Sequence, residues 1–130
     1  MSRYLLDTHV WLWMTTEPER LSTNTRAIVD DESNQLLLST ASTWEIAIKF
    51  ALGKLALPDP PSIFIPEQLR QSTTTALNVE LSHTLRVAEL PDLHRDPFDR
   101  LIIAQAQILK TPIITADAKF DGYDVTLIAA

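Results

Sequence analysis

Residues 3–14 read RYLLDTHVWLWM, and this stretch decides the fold class. Arg3–Leu6 is predicted as a short apolar strand and His9–Met14 as a helical stretch, with Asp7 at the carboxyl end of the strand. The same order of a short apolar strand and a helix recurs along the chain. This alternation favours an α/β fold, in which helices cover both faces of a mainly parallel sheet.

Further strands and helices are predicted from apolar runs, helix caps and turn residues. The strands are Gln35–Leu38, Thr75–Val79, Pro112–Thr115 and Val125–Ile128. Ser22 is predicted to cap a helix that ends near Asp31, and Ser82 one that ends near Leu90. Two further helices are predicted over Thr40–Leu52, which Gly53 ends, and over Ser62–Gln71. The last predicted helix has Asp96 as N-cap and Pro97 as first residue, and it ends near Lys110. A single domain is expected over residues 1–130.

The composition restricts the chemistry that these elements can carry. The chain has 130 residues, no cysteine, and two glycines that are far apart in the sequence. The lack of cysteine excludes disulfides, thiolate zinc sites and cysteine nucleophiles. The two distant glycines exclude the glycine-rich phosphate loops of nucleotide-binding proteins. The start of the chain, MSRYLLD, has no apolar signal-peptide region, and no run is long enough to span a membrane, so we expect a cytoplasmic protein.

Four acidic residues stand where a merely solvated carboxylate is not expected. Asp7 and Asp117 follow predicted strands at the carboxyl end, where sheets of this kind bind ligands. Glu45 and Asp99 project from the apolar faces of predicted helices, where an unpaired charge is unfavourable. If the four converge, a divalent cation would relieve their repulsion, and oxygen-only ligands favour Mg²⁺ or Mn²⁺. Such a site suits hydrolysis of phosphodiester bonds.

Each of these acids also has a purely structural interpretation, which the residues alone leave open. Asp7 and Asp117 could cap the elements that follow them. Asp99, three residues after Asp96, could complete a capping box, and Glu45 could pair with a nearby basic residue. Asp96 itself is predicted as a structural N-cap, with an outer role beside a metal as the lesser alternative.

Four motifs in the chain resemble those of PIN-domain nucleases, in the order that the family has them. The motifs are LLDTH (residues 5–9), STASTWEI (39–46), HRDPFDRL (94–101) and ITAD (114–117). Each contains one of the four acids, and together they span nearly the whole chain. The resemblance is greatest to the small, single-domain VapC-like branch, the toxin half of toxin–antitoxin pairs.

The resemblance implies a three-layer α/β/α sandwich and an endoribonuclease that depends on Mg²⁺ or Mn²⁺. In this family pattern, Asp7 and Asp99 would ligate the metal directly. Glu45 and Asp117 would ligate a second ion or hold metal-bound water. The resemblance further implies RNA as substrate, a homodimer, and a small antitoxin protein whose tail blocks the site.

Five further residues are candidates for a supporting role or for substrate contact. They are Thr8, Ser39, Asp96, Arg100 and Thr115. The serine and threonines could hydrogen-bond a carboxylate or a phosphate, although such residues at strand ends often satisfy local backbone groups. The arginine could reach a phosphate or form an ordinary salt bridge. His9 and His94 are interpreted as surface or outer residues that a metal mechanism does not need.

Other functions fit parts of the same pattern. A phosphatase of the haloacid-dehalogenase type would use Asp7 as nucleophile, but it needs a second acid where this chain has His9. A receiver-type signalling domain gives no role to Glu45 and Asp99. The remaining alternative is a catalytically silent PIN module that binds RNA or a partner protein, and the presence of all four acids argues against it.

The net charge of −6, from 17 acidic and 11 basic residues, disfavours a general attraction between this chain and RNA. Four of the acids belong to the candidate site, however, and bound divalent cations would offset their charge. We therefore expect RNA to be held by local basic residues and bound metal, and to bind weakly without metal.

Overall fold

The computed structural model describes residues 2–130, and at its centre lies a parallel sheet. In chain order the strands in this part of the chain are β1 (Arg3–Leu6), β2 (Gln35–Ser39), β3 (Thr74–Leu77), β4 (Ile113–Thr115) and β5 (Leu127–Ala129). They lie side by side in the order β3-β2-β1-β4-β5, and every neighbouring pair is parallel. From β1 the chain adds β2 and β3 on one side, and it then returns to add β4 and β5 on the other side. The order of strand addition therefore reverses at β1, although all strands run in the same direction.

The helices of the described part of the chain flank this sheet. They are α1 (Thr8–Thr16), α2 (Thr23–Asp30), α3 (Thr40–Ala51), α4 (Pro61–Gln71), α5 (Leu81–Arg86) and α6 (Pro97–Leu109), with short 3₁₀ turns at Pro18–Arg20, Val87–Glu89 and Ala118–Phe120. None of the helices in residues 2–130 has the length and apolar character needed to cross a membrane.

Apolar side chains of the strands point alternately to the two faces of the sheet and build a core on each. Leu6 and Leu38 pack on one face with residues of α1, α3 and α4. Leu5 and Leu37 pack on the other face with α6 and with Phe120. Because both faces are covered, β1 and β2 are apolar along most of their length rather than alternating. The predicted three-layer α/β/α sandwich around a parallel sheet is confirmed.

Most predicted elements coincide with the observed ones, and one cap was wrong. Ser82 does not cap α5, because the helix already begins at Leu81, after Glu80. The ring of His83, in the first turn, accepts a hydrogen bond from the Glu80 backbone N–H at 3.0 Å. This contact fixes the helix start two residues earlier than Ser82 predicted, and the helix proper ends at Arg86, not near Leu90.

The predicted β5 began two residues too early and ended one residue too early. The strand runs over Leu127–Ala129 rather than Val125–Ile128. The segment before it is a turn, in which the Val125 backbone N–H bonds the Tyr123 carbonyl at 2.9 Å. An apolar residue in a turn was thus counted with the strand.

Candidate active site

The four acids predicted from the sequence lie around the carboxyl ends of β1 and β4. Asp7 directly follows β1, and Asp117 lies two residues after β4. Glu45 lies midway along α3, and Asp99 in the first turn of α6. The reversal in the order of strand addition at β1 therefore brings strand ends and helices to the edge of the sheet where α/β folds bind ligands. We call Asp7, Glu45, Asp99 and Asp117 the site acids.

Asp99 shows electrostatically that the site acids are neighbours. It is buried, and burial is the largest cause that raises its pKa from 3.8 to about 7. Repulsion by Asp96 and by each of the other three site acids raises the pKa further. Since such repulsion weakens with distance and with solvent, the four carboxylates share one environment. The ionised form of Asp99 is therefore unfavourable here, and a nearby cation would stabilise it.

Asp7 is buried at the end of β1, and its side chain is held from the neighbouring strand. Thr115 Oγ1 donates a hydrogen bond to Asp7 Oδ2 at 2.8 Å. Burial raises the pKa of Asp7, while the hydrogen bond from Thr115 and the charge of His9 oppose that rise. The side chain makes no capping hydrogen bond to α1, although Asp7 is the residue before that helix. The purely capping interpretation of Asp7 is therefore wrong.

Glu45 is buried, and its partner lies one helical turn along α3. Lys49 Nζ donates to Glu45 Oε2 at 2.8 Å. This hydrogen bond is the largest cause that raises the pKa of Lys49, and attraction to Asp96 and Asp99 adds to it. The interpretation that Glu45 pairs with a basic residue is confirmed. The positive charge of Lys49 thus lies close enough to Glu45, Asp96 and Asp99 to be attracted by them.

Asp117 has the structural role that its position after β4 predicted. Its Oδ1 accepts a hydrogen bond from the Lys119 backbone N–H at 2.9 Å, which caps the short 3₁₀ turn. Its own backbone N–H donates to Thr115 Oγ1 at 3.0 Å. The Thr115 hydroxyl therefore bonds both the Asp7 carboxylate and the Asp117 backbone, across strand ends that the pairing of β1 with β4 holds side by side.

The side chains of three other predicted supporting residues bond groups outside the acid carboxylates. Asp96 Oδ1 accepts hydrogen bonds from the backbone N–H groups of residues 98 and 99, as an N-cap of α6 does. Ser39 accepts from the Ala41 backbone N–H and caps α3. Thr8 donates to Ser42 at 2.8 Å rather than to a carboxylate. Of the five candidates, Thr115 is the one whose side chain hydrogen-bonds the carboxylate of a site acid.

Arg100 does not extend toward an open phosphate position. Its guanidinium donates to the backbone carbonyls of Val87, Pro91 and His94, and to the Tyr123 hydroxyl. The interpretation of Arg100 as a phosphate ligand is not supported by these bonds. The guanidinium instead ties the loop before α6 to the rest of the protein.

Two residues near Asp99 were missed or undervalued in the sequence. His94 Nε2 lies 3.5 Å from Asp99 Oδ2, and the His94 side chain is only 14% exposed. Tyr123, which had no assigned role, lies 2.9 Å from His94 Nδ1. His94 could have been found from its position in the HRDPFDRL motif, whereas Tyr123 gave no signal because it lies in a turn 29 residues away.

Cavities adjoin the site acids on the α1 side. One of about 210 Å³ lies between α1 and α3 and is bordered by Glu45, Lys49 and Lys54. Another, of about 420 Å³, is a largely apolar groove. Its lining includes His9, Leu12, Trp13, Leu55, Leu57 and Pro58. A third cavity, of about 270 Å³, is bordered by Asp7 and Asp117 and shares His9 and Trp13 with the apolar groove, so the groove leads toward these two acids.

The donor chemistry of the site fits a divalent cation. All four site acids offer carboxylate oxygens, which are the ligands of Mg²⁺ and Mn²⁺, and their repulsion on Asp99 is what a cation would remove. Among residues 2–130, however, no three His, Asp or Glu side chains are already arranged as one metal-binding group. The carboxylates are turned toward their present partners, such as Lys49 for Glu45 and Thr115 for Asp7. A cation would bind here with a change of side-chain conformation.

The family model of the PIN domain matches residues 4–125 of this chain. The chain belongs to the PIN domain family. The resemblance of the four motifs to PIN-domain nucleases is confirmed by this match. The site acids accordingly lie within a PIN domain and come from its β1, α3, α6 and the loop after β4.

Two named relatives come from Mycobacterium tuberculosis. The chain is 50% identical to Ribonuclease VapC16 over 60 residues, which are 46% of this chain and 43% of that relative. It is 27% identical to Ribonuclease VapC22 over 123 residues, which are 95% of this chain and 93% of that relative. The first match thus spans less than half of its relative, and the second spans nearly all of it.

A solved structure shares the fold. It is the crystal structure of VapBC2 from Rickettsia felis bound to a DNA fragment from their promoter. The TM-score is 0.72 with 17% sequence identity, and the alignment covers 97% of this chain and 97% of that chain. At this identity the likeness supports the PIN fold of the whole described chain and nothing finer.

Proposed function

We propose that this PIN domain is an endoribonuclease that depends on Mg²⁺ or Mn²⁺, and that it is the toxin of a toxin–antitoxin pair. The observation that carries the proposal is that four acids of a PIN domain lie around the carboxyl ends of β1 and β4, where burial and the repulsion of the neighbouring acids raise the pKa of Asp99. Proteins keep such a costly arrangement of like charges mainly at functional sites. A divalent cation is the partner that its oxygen donors select.

Asp7 and Asp99 would hold the first cation, and Glu45 and Asp117 a second one. Such a cation makes water a stronger nucleophile at neutral pH and stabilises charge on the phosphate oxygens. The chain's own residues prepare this site. Thr115 orients Asp7 from β4, at 2.8 Å, so that only part of the carboxylate is left for a ligand. Burial of Asp7, Glu45 and Asp99 excludes water that would screen their charge.

RNA is the substrate class that the relatives support, because both are named ribonucleases. The chain's acidic balance means that the substrate has to be held locally. Lys49 and Lys54 border the cavity beside Glu45 and are placed to neutralise backbone phosphates there. Without bound metal, the net charge of −6 would repel the RNA backbone, so RNA would bind weakly.

A protein partner fits the apolar groove that leads to the site acids. The solved VapBC2 complex has this fold, and we propose that this chain likewise pairs with an antitoxin. A segment lying along Leu12, Trp13 and Leu57 would cover the approach past His9 to the acids and so block substrate. We further propose a homodimer in the cytoplasm. Exposed apolar side chains on α3 and α5, such as Trp44 and Leu85, are available for that contact.

Cleavage of labelled single-stranded and structured RNA tests the proposal. We expect cleavage with Mg²⁺ or Mn²⁺, none with EDTA, and a loss of at least about a hundredfold in Asp7→Asn and Asp99→Asn. Asp124→Asn is the matched control, because Asp124 is exposed and lies before β5, at the opposite edge of the sheet. RNA binding without cleavage in any metal would contradict the proposal and favour the silent PIN module.

A further inference from the structure

The imidazole of His94 is held between Tyr123 and Asp99. His94 Nδ1 lies 2.9 Å from the Tyr123 hydroxyl, and the two rings pack edge to face with centroids 5.5 Å apart. On the other side, His94 Nε2 lies 3.5 Å from Asp99 Oδ2. Within the described chain, this nitrogen is buried and has no hydrogen-bond partner. The ring is therefore fixed, and its unpaired nitrogen faces a site acid.

The bond from Arg100 to Tyr123 favours one position for the proton of His94. Arg100 Nη1 lies 3.3 Å from the Tyr123 hydroxyl, and a guanidinium can only donate. The Tyr123 oxygen accepts this bond, so its own proton is available for His94 Nδ1. A neutral imidazole that accepts at Nδ1 carries its proton at Nε2. In this form of the ring, the N–H of His94 faces Asp99.

Arg100 is suited to this task because it is itself immobilised. It donates to the carbonyls of Pro91 at 2.9 Å and of Val87 at 3.2 Å, and it also bonds the carbonyl of His94 at 3.3 Å. The guanidinium thus fixes both the loop that carries His94 and the hydroxyl that orients its ring. The series Arg100–Tyr123–His94–Asp99 runs from backbone anchors to the candidate site.

We propose that His94 is a positioning residue for Asp99, which orients that carboxylate by donating Nε2–H to Oδ2. The inference rests on the proposed function, since it gives one oxygen of Asp99 a fixed partner and leaves the other for a divalent cation. The 3.5 Å separation is slightly longer than an ordinary hydrogen bond, so the proposed bond needs the two side chains to approach each other further. Contacts of this kind are often long in the free protein and shorten when the site is loaded. Hydrogen bonds to ligand side chains tune metal binding in many proteins.

The proton position is measurable in the metal-free protein by ¹⁵N NMR of the histidine rings. We expect the neutral His94 ring to be in the Nε2–H form, and Tyr123→Phe to yield a mixture of both forms. The His94 signals are identified by their loss in His94→Phe. An Nδ1–H ring in the native protein, or an unchanged form in Tyr123→Phe, would overturn the proposal. This readout does not depend on cleavage of RNA.

Mn²⁺ affinity, measured by calorimetry, tests the consequence for the site. His94→Phe keeps the ring but removes both nitrogens, and we expect it to weaken Mn²⁺ binding about tenfold or more. His94→Gln retains a side-chain N–H donor and should stay within about threefold of the native affinity, while Tyr123→Phe should fall between the two. His83→Gln is the control, since His83 is a buried histidine that caps α5 instead.

The outcomes separate this inference from the proposed function. Native affinity in His94→Phe, or equal losses in His94→Phe and His94→Gln, would refute positioning by a donated hydrogen bond. If the native protein binds no Mn²⁺, the proposed function fails and with it the purpose given to His94. The NMR result then still decides whether His94 carries its proton at Nε2, the nitrogen that faces Asp99.

Discussion

At the scale of single residues, Asp99 is the carboxylate whose pKa departs most clearly from its ordinary value. In the folded protein its pKa is about 7 instead of 3.8. The fold thus favours the protonated form. The stabilising contribution of that form is fully present below a pH of about 3.8 and is lost as the pH rises through about 7.

Removing this charge should stabilise the metal-free protein at alkaline pH. We expect Asp99→Asn to raise the Tm in EDTA by about 5 °C near pH 8.5 and to change it little near pH 4, where the native Asp99 is protonated. Differential scanning calorimetry of both proteins gives the comparison, with Asp124→Asn as the control for an exposed aspartate. A lower Tm for Asp99→Asn near pH 8.5 would contradict the assigned environment.

The pair between Glu45 and Lys49 should matter more than a surface ion pair. The Glu45 side chain is only 6% exposed and the Lys49 side chain 42%. Lys49→Met leaves a buried carboxylate unpaired, so we expect it to lower the free energy of unfolding by about 1–2 kcal/mol. The double variant with Glu45→Gln should recover most of this loss. Urea unfolding measures both, and Lys54→Met, an exposed lysine beside the same cavity, should change little.

The sequence could identify the site acids but not their partners. Glu45 and Asp99 were identifiable because each interrupts an apolar helix face, a signal that lies within a few residues. The bond between Thr115 and Asp7 joins residues 108 positions apart, and it arises only because β4 lies beside β1. Partners of this kind depend on the tertiary structure, so the sequence left capping, pairing and metal binding open for each acid.

At the scale of elements, α3 and α6 have to begin at defined residues for their acids to reach the site. Ser39 caps α3 and is fully buried at the end of β2. We expect Ser39→Ala to lower the free energy of unfolding by about 1 kcal/mol or somewhat more, because the Ala41 backbone N–H loses its acceptor. Ser62→Ala, at an exposed serine in the first turn of α4, is the control. Equal effects of the two variants on urea unfolding would argue against the cap.

Elements with strong local signals were predictable, and those set by tertiary contacts were not. β1 was predicted to the residue, because a strand buried on both faces reads as a continuous apolar run. The start of α6 followed from Asp96 and Pro97, a cap and a first residue of fixed φ. The start of α5 depends on His83 bonding the backbone of Glu80, and no propensity indicates such a contact.

At the scale of the whole molecule, the strand order makes the site possible. The acids lie 38, 54 and 18 positions apart in the sequence, and they come together because β1 is central, β4 is its neighbour, and α6 packs against both strands on one face. The parallel arrangement puts both strand ends at one edge, and the helices on the two faces bring Glu45 and Asp99 to it. The acidic net charge is therefore partly a property of this one location.

The central claim is that these four carboxylates bind a divalent cation, and anomalous diffraction from crystals soaked in MnCl₂ tests it most directly. We expect a manganese peak between the carboxylates of Asp7 and Asp99, with the Glu45 or Asp117 side chain turned toward it or toward a second peak, and no peak in crystals of Asp99→Asn. Crystals of the native protein that show no manganese at the site acids, or that show it only elsewhere on the surface, would contradict the claim.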